Sequence, residues 1–140
     1  MCEIKFRGKR QWNGEWLVGN LIIDKHGKKY IVPYKYFEAD GHHLIYEDDT
    51  DTPVFIDQES VGQFTGLSEH GVGDWYHHDI ITDRKRNYLI EWSDDELTWI
   101  LTNPNMRGTI RLSDINSRLW HKIGNNHDNP ELLNPKEASR

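Results

Sequence analysis

Cysteine is almost absent from this chain. Cys2 stands alone among 140 residues, so no disulfide can form within the chain, and a reducing compartment is compatible with it. Long apolar runs are missing too: none approaches the roughly 20 residues that a membrane-spanning helix needs. The opening MCEIKFRGKR is charged from the third residue and lacks the apolar stretch of a secretory signal. The expectation is a protein of the cytoplasm with no membrane partner. Lysine and arginine are missing from residues 37–79, which hold eleven Asp/Glu, whereas residues 1–36 hold eight Lys/Arg against three Asp/Glu.

With a net charge of -6, the chain lacks the strongly basic balance of a dedicated nucleic-acid domain. The basic first third could still meet phosphate, because clustered cations concentrate polyanions. Lys5, Arg7, Lys9, Arg10, Lys28 and Lys29 are the candidates for that alternative. The other reading is that the basic and acidic parts face each other, within one chain or between copies.

What the chain does have is aromatic mass. Six Trp, six Tyr and four Phe supply large core blocks that disordered chains lack. The patterns are those of strands. In EIKFRGK, Ile4 and Phe6 alternate with Lys5 and Arg7. Asn13-Gly14 between apolar runs signals a hairpin, and DKHGKK at 24–29 offers a second turn. Pro33 cannot donate to a ladder, so YIVPYKYF should be an edge strand or carry a bulge. EDDTDTP at 47–53 is an acidic break, dividing a β-rich part over 1–52 from a second part over 53–140, unless the two form one integrated domain. Gly62 and Gly66 in SVGQFTGL mark bulges or close backbone approach, and SEHGVGD reads as a loop. In NYLIEWSDDELTWIL a loop of Ser93–Glu96 would pair Trp92 with Leu97, Ile90 with Trp99 and Tyr88 with Leu101. Helix is scarce: LSDINSRLW offers a turn or two capped by Ser113, and DNPELL a turn with Asn129 as cap and Pro130 first. The fold class is mainly β with little helix.

The densest polar stretch is DQESVGQFTGLSEHGVGDWYHHDII, residues 57–81. Adjacent strand residues point to opposite faces, so neither His77-His78 nor His42-His43 can share one ion from regular strand geometry. His77 and Asp79 could share a face but need a third ligand, and no HExxH or cysteine-based spacing is present. A calcium loop starting at Asp49 would meet Pro53 and Val54 at its fifth and sixth positions and Ser60 at its twelfth. GVG at 71–73 leaves the phosphate-cradling GxGxxG incomplete, and there is no Walker sequence or GxSxG elbow. Neither catalytic residues nor metal nor cofactor is expected, and the chain does not read as an enzyme.

Three stretches together resemble the YopX family of phage and prophage proteins: EIKFRGK followed by NGEWLVGNLI, then VGQFTGL with a loop and DII, and finally IGNNHDNPELL. They span residues 3–133. The family commonly shows Ile-Tyr-Glu-Gly-Asp where Trp75, Tyr76, His77, His78 and Asp79 stand here. The resemblance implies an SH3-like small β barrel in the C-terminal part, a β-rich N-terminal part and no established activity. Such barrels present aromatics from loops and strand ends, which makes Trp75, Tyr76 and His77 the partner-binding candidates. Alternatively, Trp75 or Tyr76 plugs the end of the barrel. The function expected is that of a non-enzymatic phage or prophage accessory protein that binds a host or phage protein or assembles with itself. A homo-oligomer would bury exposed strand edges.

Overall fold

The computed structural model describes residues 3–34, 36–39, 43–46 and 53–134. His42, most of the acidic break (47–52) and the side chain of His43 lie outside the described residues. The chain is mainly β, arranged as two compact units, Met1–Gln63 and Phe64–Arg140.

The first unit is built on antiparallel strands β1 (Phe6–Lys9), β2 (Trp16–Ile23) and β3 (Lys29–Pro33), followed by a ribbon of β4 (Tyr36–Ala39) and β5 (His43–Tyr46) and by the short β6 (Val54–Phe55). Its sheet order is β6-β3-β2-β1, and Gly62 and Gln63 at the start of β7 (Gly62–Glu69) pair with the outer side of β1. Asn13-Gly14 does close the β1–β2 hairpin, but within a four-residue loop: the N–H of Arg10 donates to the carbonyl of Glu15, and only Gly14 turns to positive φ. Pro33 sits past the end of β6, where the N–H it lacks would have no ladder partner in that strand. Leu17, Ile31 and Ile56 form the buried core, with Phe6, Leu21 and Val54 against it. Gly19 is needed where β2 crosses β3, because a Cβ there would stand 1.9 Å from the carbonyl oxygen of Val32.

In the second unit β7 continues and pairs with β8 (Gly73–Tyr76) across the turn at His70–Val72. The register shifts between Phe64 and Ser68, with Gly66 at φ +96°, so the glycine expected to mark a bulge does so. A five-stranded antiparallel sheet follows, in the order β12-β11-β10-β9-β13: β9 (Asp79–Thr82), β10 (Asn87–Ser93), β11 (Thr98–Thr102), β12 (Ile110–Arg111) and β13 (His121–Asn125). Among the described residues these strands form open sheets and no closed barrel. Trp75, Ile81, Tyr88, Ile90, Leu101, Leu112 and Trp120 make the core, with Leu67 and Trp99 packed on it. Among the described residues the unit's helical content is three short 3₁₀ turns, Leu112–Asp114, Ser117–Leu119 and Pro130–Leu133.

Two local expectations need correction. The β10–β11 hairpin pairs Trp92 with Trp99 and Ile90 with Leu101, two residues from the expected register. Its loop is Asp94–Leu97, fixed by Ser93, whose carbonyl accepts the N–H of Leu97 (2.8 Å) and whose Oγ accepts that of Glu96 (3.1 Å). A slip of two preserves facing, so Tyr88, Ile90, Trp92, Trp99 and Leu101 still share one face while Leu97 leaves it. Ser113 lies inside a 3₁₀ turn rather than capping it; Asn116 caps the next turn by accepting the N–H of Arg118. Asn129 holds the cap position before Pro130, but its Oδ1 accepts the N–H of Asn125 instead.

Candidate functional site

The stretch Trp75–Asp79 forms the end of β8, a tight turn and the start of β9. Asp79 is fully buried, and its Oδ2 accepts the N–H of Tyr76 at 2.7 Å. Lys122 on β13 brings its ammonium within 3.4 Å of the same oxygen and donates to the carbonyl of Asp74 at 2.7 Å. His77 and His78 occupy the turn rather than a strand. His78 takes φ +79°, a left-handed conformation that favours glycine. The turn is pinned on both sides, by the His78 N–H to the Ile90 carbonyl (2.9 Å) and by the Asn126 N–H to the His78 carbonyl (2.8 Å).

The three partner-binding candidates separate here. Trp75 and Tyr76 are only 1% and 5% exposed and offer a partner no surface. Large rings gain most from burial when their polar handle is satisfied, and Trp75 donates its indole N–H to Glu69 Oε1 at 3.3 Å. The Tyr76 ring packs 5.8 Å from that of Phe64. His77 is half-buried. It stacks on His78, with centroids 3.7 Å apart and planes at 17°, and lies 5.4 Å from the Trp99 ring. Trp99 in turn meets Trp92 edge to face at 5.2 Å. The result is a row of four rings, His78–His77–Trp99–Trp92, along one end of the five-stranded sheet. Trp92 is 43% exposed, and Leu97, on the loop between β10 and β11, is 73% exposed. Sequence reasoning missed Trp92 as a surface residue because alternation assigned it to a dry face; the core reaches Trp99, which packs against it half-buried, and ends before Trp92.

A second cluster lies across the same unit. Glu69 Oε1 also accepts the N–H of Lys122 (2.8 Å), and Oε2 meets His121 Nδ1 at 3.2 Å. Burial works to raise the carboxyl's pKa, but the hydrogen bonds from Lys122, His121 and Trp75 outweigh it and hold the group below its ordinary 4.5. Glu69, His70, Arg118 and His121 line an open cleft. Both oxygens of Glu69 are spent on tying β7 to β8 and β13, which makes it a strut. Nothing local in the sequence links Glu69 to His121, fifty-two positions away. Among the described residues no group of three or more His, Cys, Asp or Glu is placed to hold a metal ion.

The candidates for nucleic-acid contact are largely engaged with the first unit itself. Arg7 is buried, with its guanidinium 4.8 Å from the Trp16 ring centroid, and Lys9 approaches the same ring at 5.9 Å. Arg10 packs on Trp12 at 5.4 Å and pairs with Glu15 at 3.3 Å; Lys5 pairs with Glu3 at 3.5 Å. The Lys28 ammonium stands 4.5 Å from the Phe55 ring centroid. Lys29 is half-buried, its backbone N–H donating to Gln58 at 2.7 Å.

Comparison with known proteins returns the family described as YopX protein, matched over residues 5–134. Among solved structures, the chain is similar to the crystal structure of protein EF1440 from Enterococcus faecalis, with a TM-score of 0.58 and 18% identity over 95% of this chain and 99% of that one. At that identity the likeness speaks to fold alone. No curated protein matches the chain.

Proposed function

The chain belongs to the YopX family, and from that premise we propose that it is a non-enzymatic accessory protein of a phage or prophage, acting in the host cytoplasm by binding protein, another's or its own. The observation that carries this reading is the four-ring row ending in the half-exposed Trp92. A half-exposed tryptophan packed on an aromatic partner, on a hairpin whose loop also exposes a leucine, is the composition of an interface anchor. In this reading the second unit is an SH3-like module, with the β7–β8 ribbon laid against its five-stranded sheet. His77 stays a contact residue, and Trp92 and Trp99 replace Trp75 and Tyr76. Much of the basic first third serves its own unit: Arg7, Lys9, Arg10 and Lys28 lie over rings, and Lys5 and Arg10 beside carboxylates.

The test is capture from host lysate after nuclease treatment, with wild-type protein beside Trp92→Ala. A protein partner retained by wild type and lost with Trp92→Ala supports the reading. Capture that disappears with nuclease, or that ignores Trp92→Ala, overturns it.

A further inference from the structure

Leu97 is the least explained residue of the fold. A leucine at φ +55° is in a conformation that L-residues avoid, and 73% exposure means that no burial offsets it. Backbone strain held without a packing reason points toward function. Leu97 caps a protruding tip whose Asp94 and Asp95 carry no ion pair among the described residues, while Glu96 is held by Arg111 at 3.0 Å.

The opposite end of the same strand carries the complement. A groove of about 250 Å³ has Leu132 and Leu133 in its wall and Lys85, Arg86 and Asn105 around it. Its wall is pre-built: Asn103 donates to the carbonyl of Asn87 (2.7 Å), and Asn87 donates to that of Leu132 (2.9 Å). Neither Lys85 nor Arg86 makes a salt bridge within 4 Å among the described residues, although the Asp83 carboxylate accepts both their backbone N–H groups and interacts electrostatically with Lys85; Arg86 rests on Met106 Sδ at 3.5 Å. The groove therefore offers an apolar wall beside two cations, and the tip offers an apolar knob with an acidic rim.

We propose that the Asp94–Leu97 tip of one molecule docks into the Lys85–Arg86–Leu132–Leu133 groove of a second copy of this chain, with Leu97 on the leucines and Asp94 and Asp95 on the two cations. The inference rests on reading this hairpin end as a protein-binding surface and names its partner. One molecule cannot satisfy the contact itself, because β10, from Asn87 to Ser93, separates groove from tip by roughly 20 Å at about 3.3 Å per residue. The contact is head-to-tail, so copies add in a line or close into a ring.

Sedimentation and light scattering over a concentration series test it with two variants. Leu97→Gly removes the knob at a position whose backbone suits glycine, and leaves the groove. Lys85→Glu with Arg86→Glu reverses the two charges on an exposed loop, and leaves the tip. Wild type is expected to associate, and to do so less as salt rises toward about 1 M, where the Debye length shrinks to about 3 Å. Each variant alone should associate at least tenfold more weakly. Mixed, they should form a 1:1 dimer that grows no further, since only one groove and one tip remain intact. Assembly of Leu97→Gly equal to wild type, or a mixture that stays monomeric, overturns the proposal. So does a wild type that associates only when residues 135–140 are removed, which would make the chain's own tail the groove's occupant. A monomeric wild type that keeps a nuclease-resistant partner through Trp92 overturns head-to-tail docking and leaves the protein-binding reading standing.

Discussion

Asp79 opens β9, the second strand of the motif DWYHHDII, and its removal is the sharpest test of how this unit is held. Asp79→Ala deletes the acceptor of the Tyr76 N–H in a dry setting, which by itself costs about 1–3 kcal/mol. It also strips Lys122 of the carboxylate 3.4 Å away, on a side chain that is only 22% exposed. Breaking one side of a buried pair costs about 3–5 kcal/mol; with Lys122 partly solvated, we expect a loss of about 3 kcal/mol. Asp79→Asn keeps an oxygen for the Tyr76 N–H and loses only the charge, so it should cost about 1 kcal/mol. Against the 5–15 kcal/mol of an ordinary domain, the alanine variant should shift the urea midpoint of tryptophan fluorescence clearly, and the asparagine variant by about a third as much. Equal shifts for the two variants, or an alanine variant within about 0.5 kcal/mol of wild type, would refute the argument that the carboxylate is the joint between β8, β9 and β13.

Other expectations follow from the same coordinates. Glu69 is held below 4.5 in the folded protein, so its contribution is fully present above that pH and drains away as pH falls through the lower folded value. Urea midpoints taken on a descending pH series should show Glu69→Gln flattening that acid limb; an unchanged limb would remove the strut role. Gly19→Ala sets a Cβ against the backbone oxygen of Val32, where no rotamer change can relieve it, and should cost about 3 kcal/mol or more in the first unit, read by hydrogen exchange of β2 and β3. Gly124→Ala would meet Asn129 Oδ1 at 2.5 Å and displace the side chain that accepts the Asn125 N–H, lowering stability by about 1–2 kcal/mol. His78→Gly relieves the left-handed turn and should raise the thermal midpoint, consistent with up to about 1 kcal/mol of relief; a drop would show that the His77–His78 stack matters more than the strain.

Much of the fold could be read from local chemistry. Gly66 announced its bulge, Gly14 its turn, and the period-2 alternation of EIKFRGK the strand β1, because each is decided within a few residues. The register of β10–β11 was not, since either of two four-residue loops leaves the same faces inward and only the Ser93 hydrogen bonds choose between them. The site was hidden for a related reason. Trp75 and Trp92 look alike in sequence, each ringed by polar residues, yet one fills the core and the other lies beyond its end. That difference depends on Leu112, Trp120 and Leu67 closing over Trp75, and none of these is near it in sequence except Leu67. The groove at Lys85 and Leu132 draws on segments more than forty residues apart and had no local signature at all.

The surface itself can be located by hydrogen–deuterium exchange, comparing free protein with protein in its nuclease-resistant complex, whether that complex is with another protein or with itself. The account predicts slowed exchange concentrated on the β10–β11 hairpin from Trp92 to Trp99 and on the His77–His78 turn. Protection confined to β1, β2 and the Lys28 turn of the first unit would contradict it and return the working surface to the basic residues.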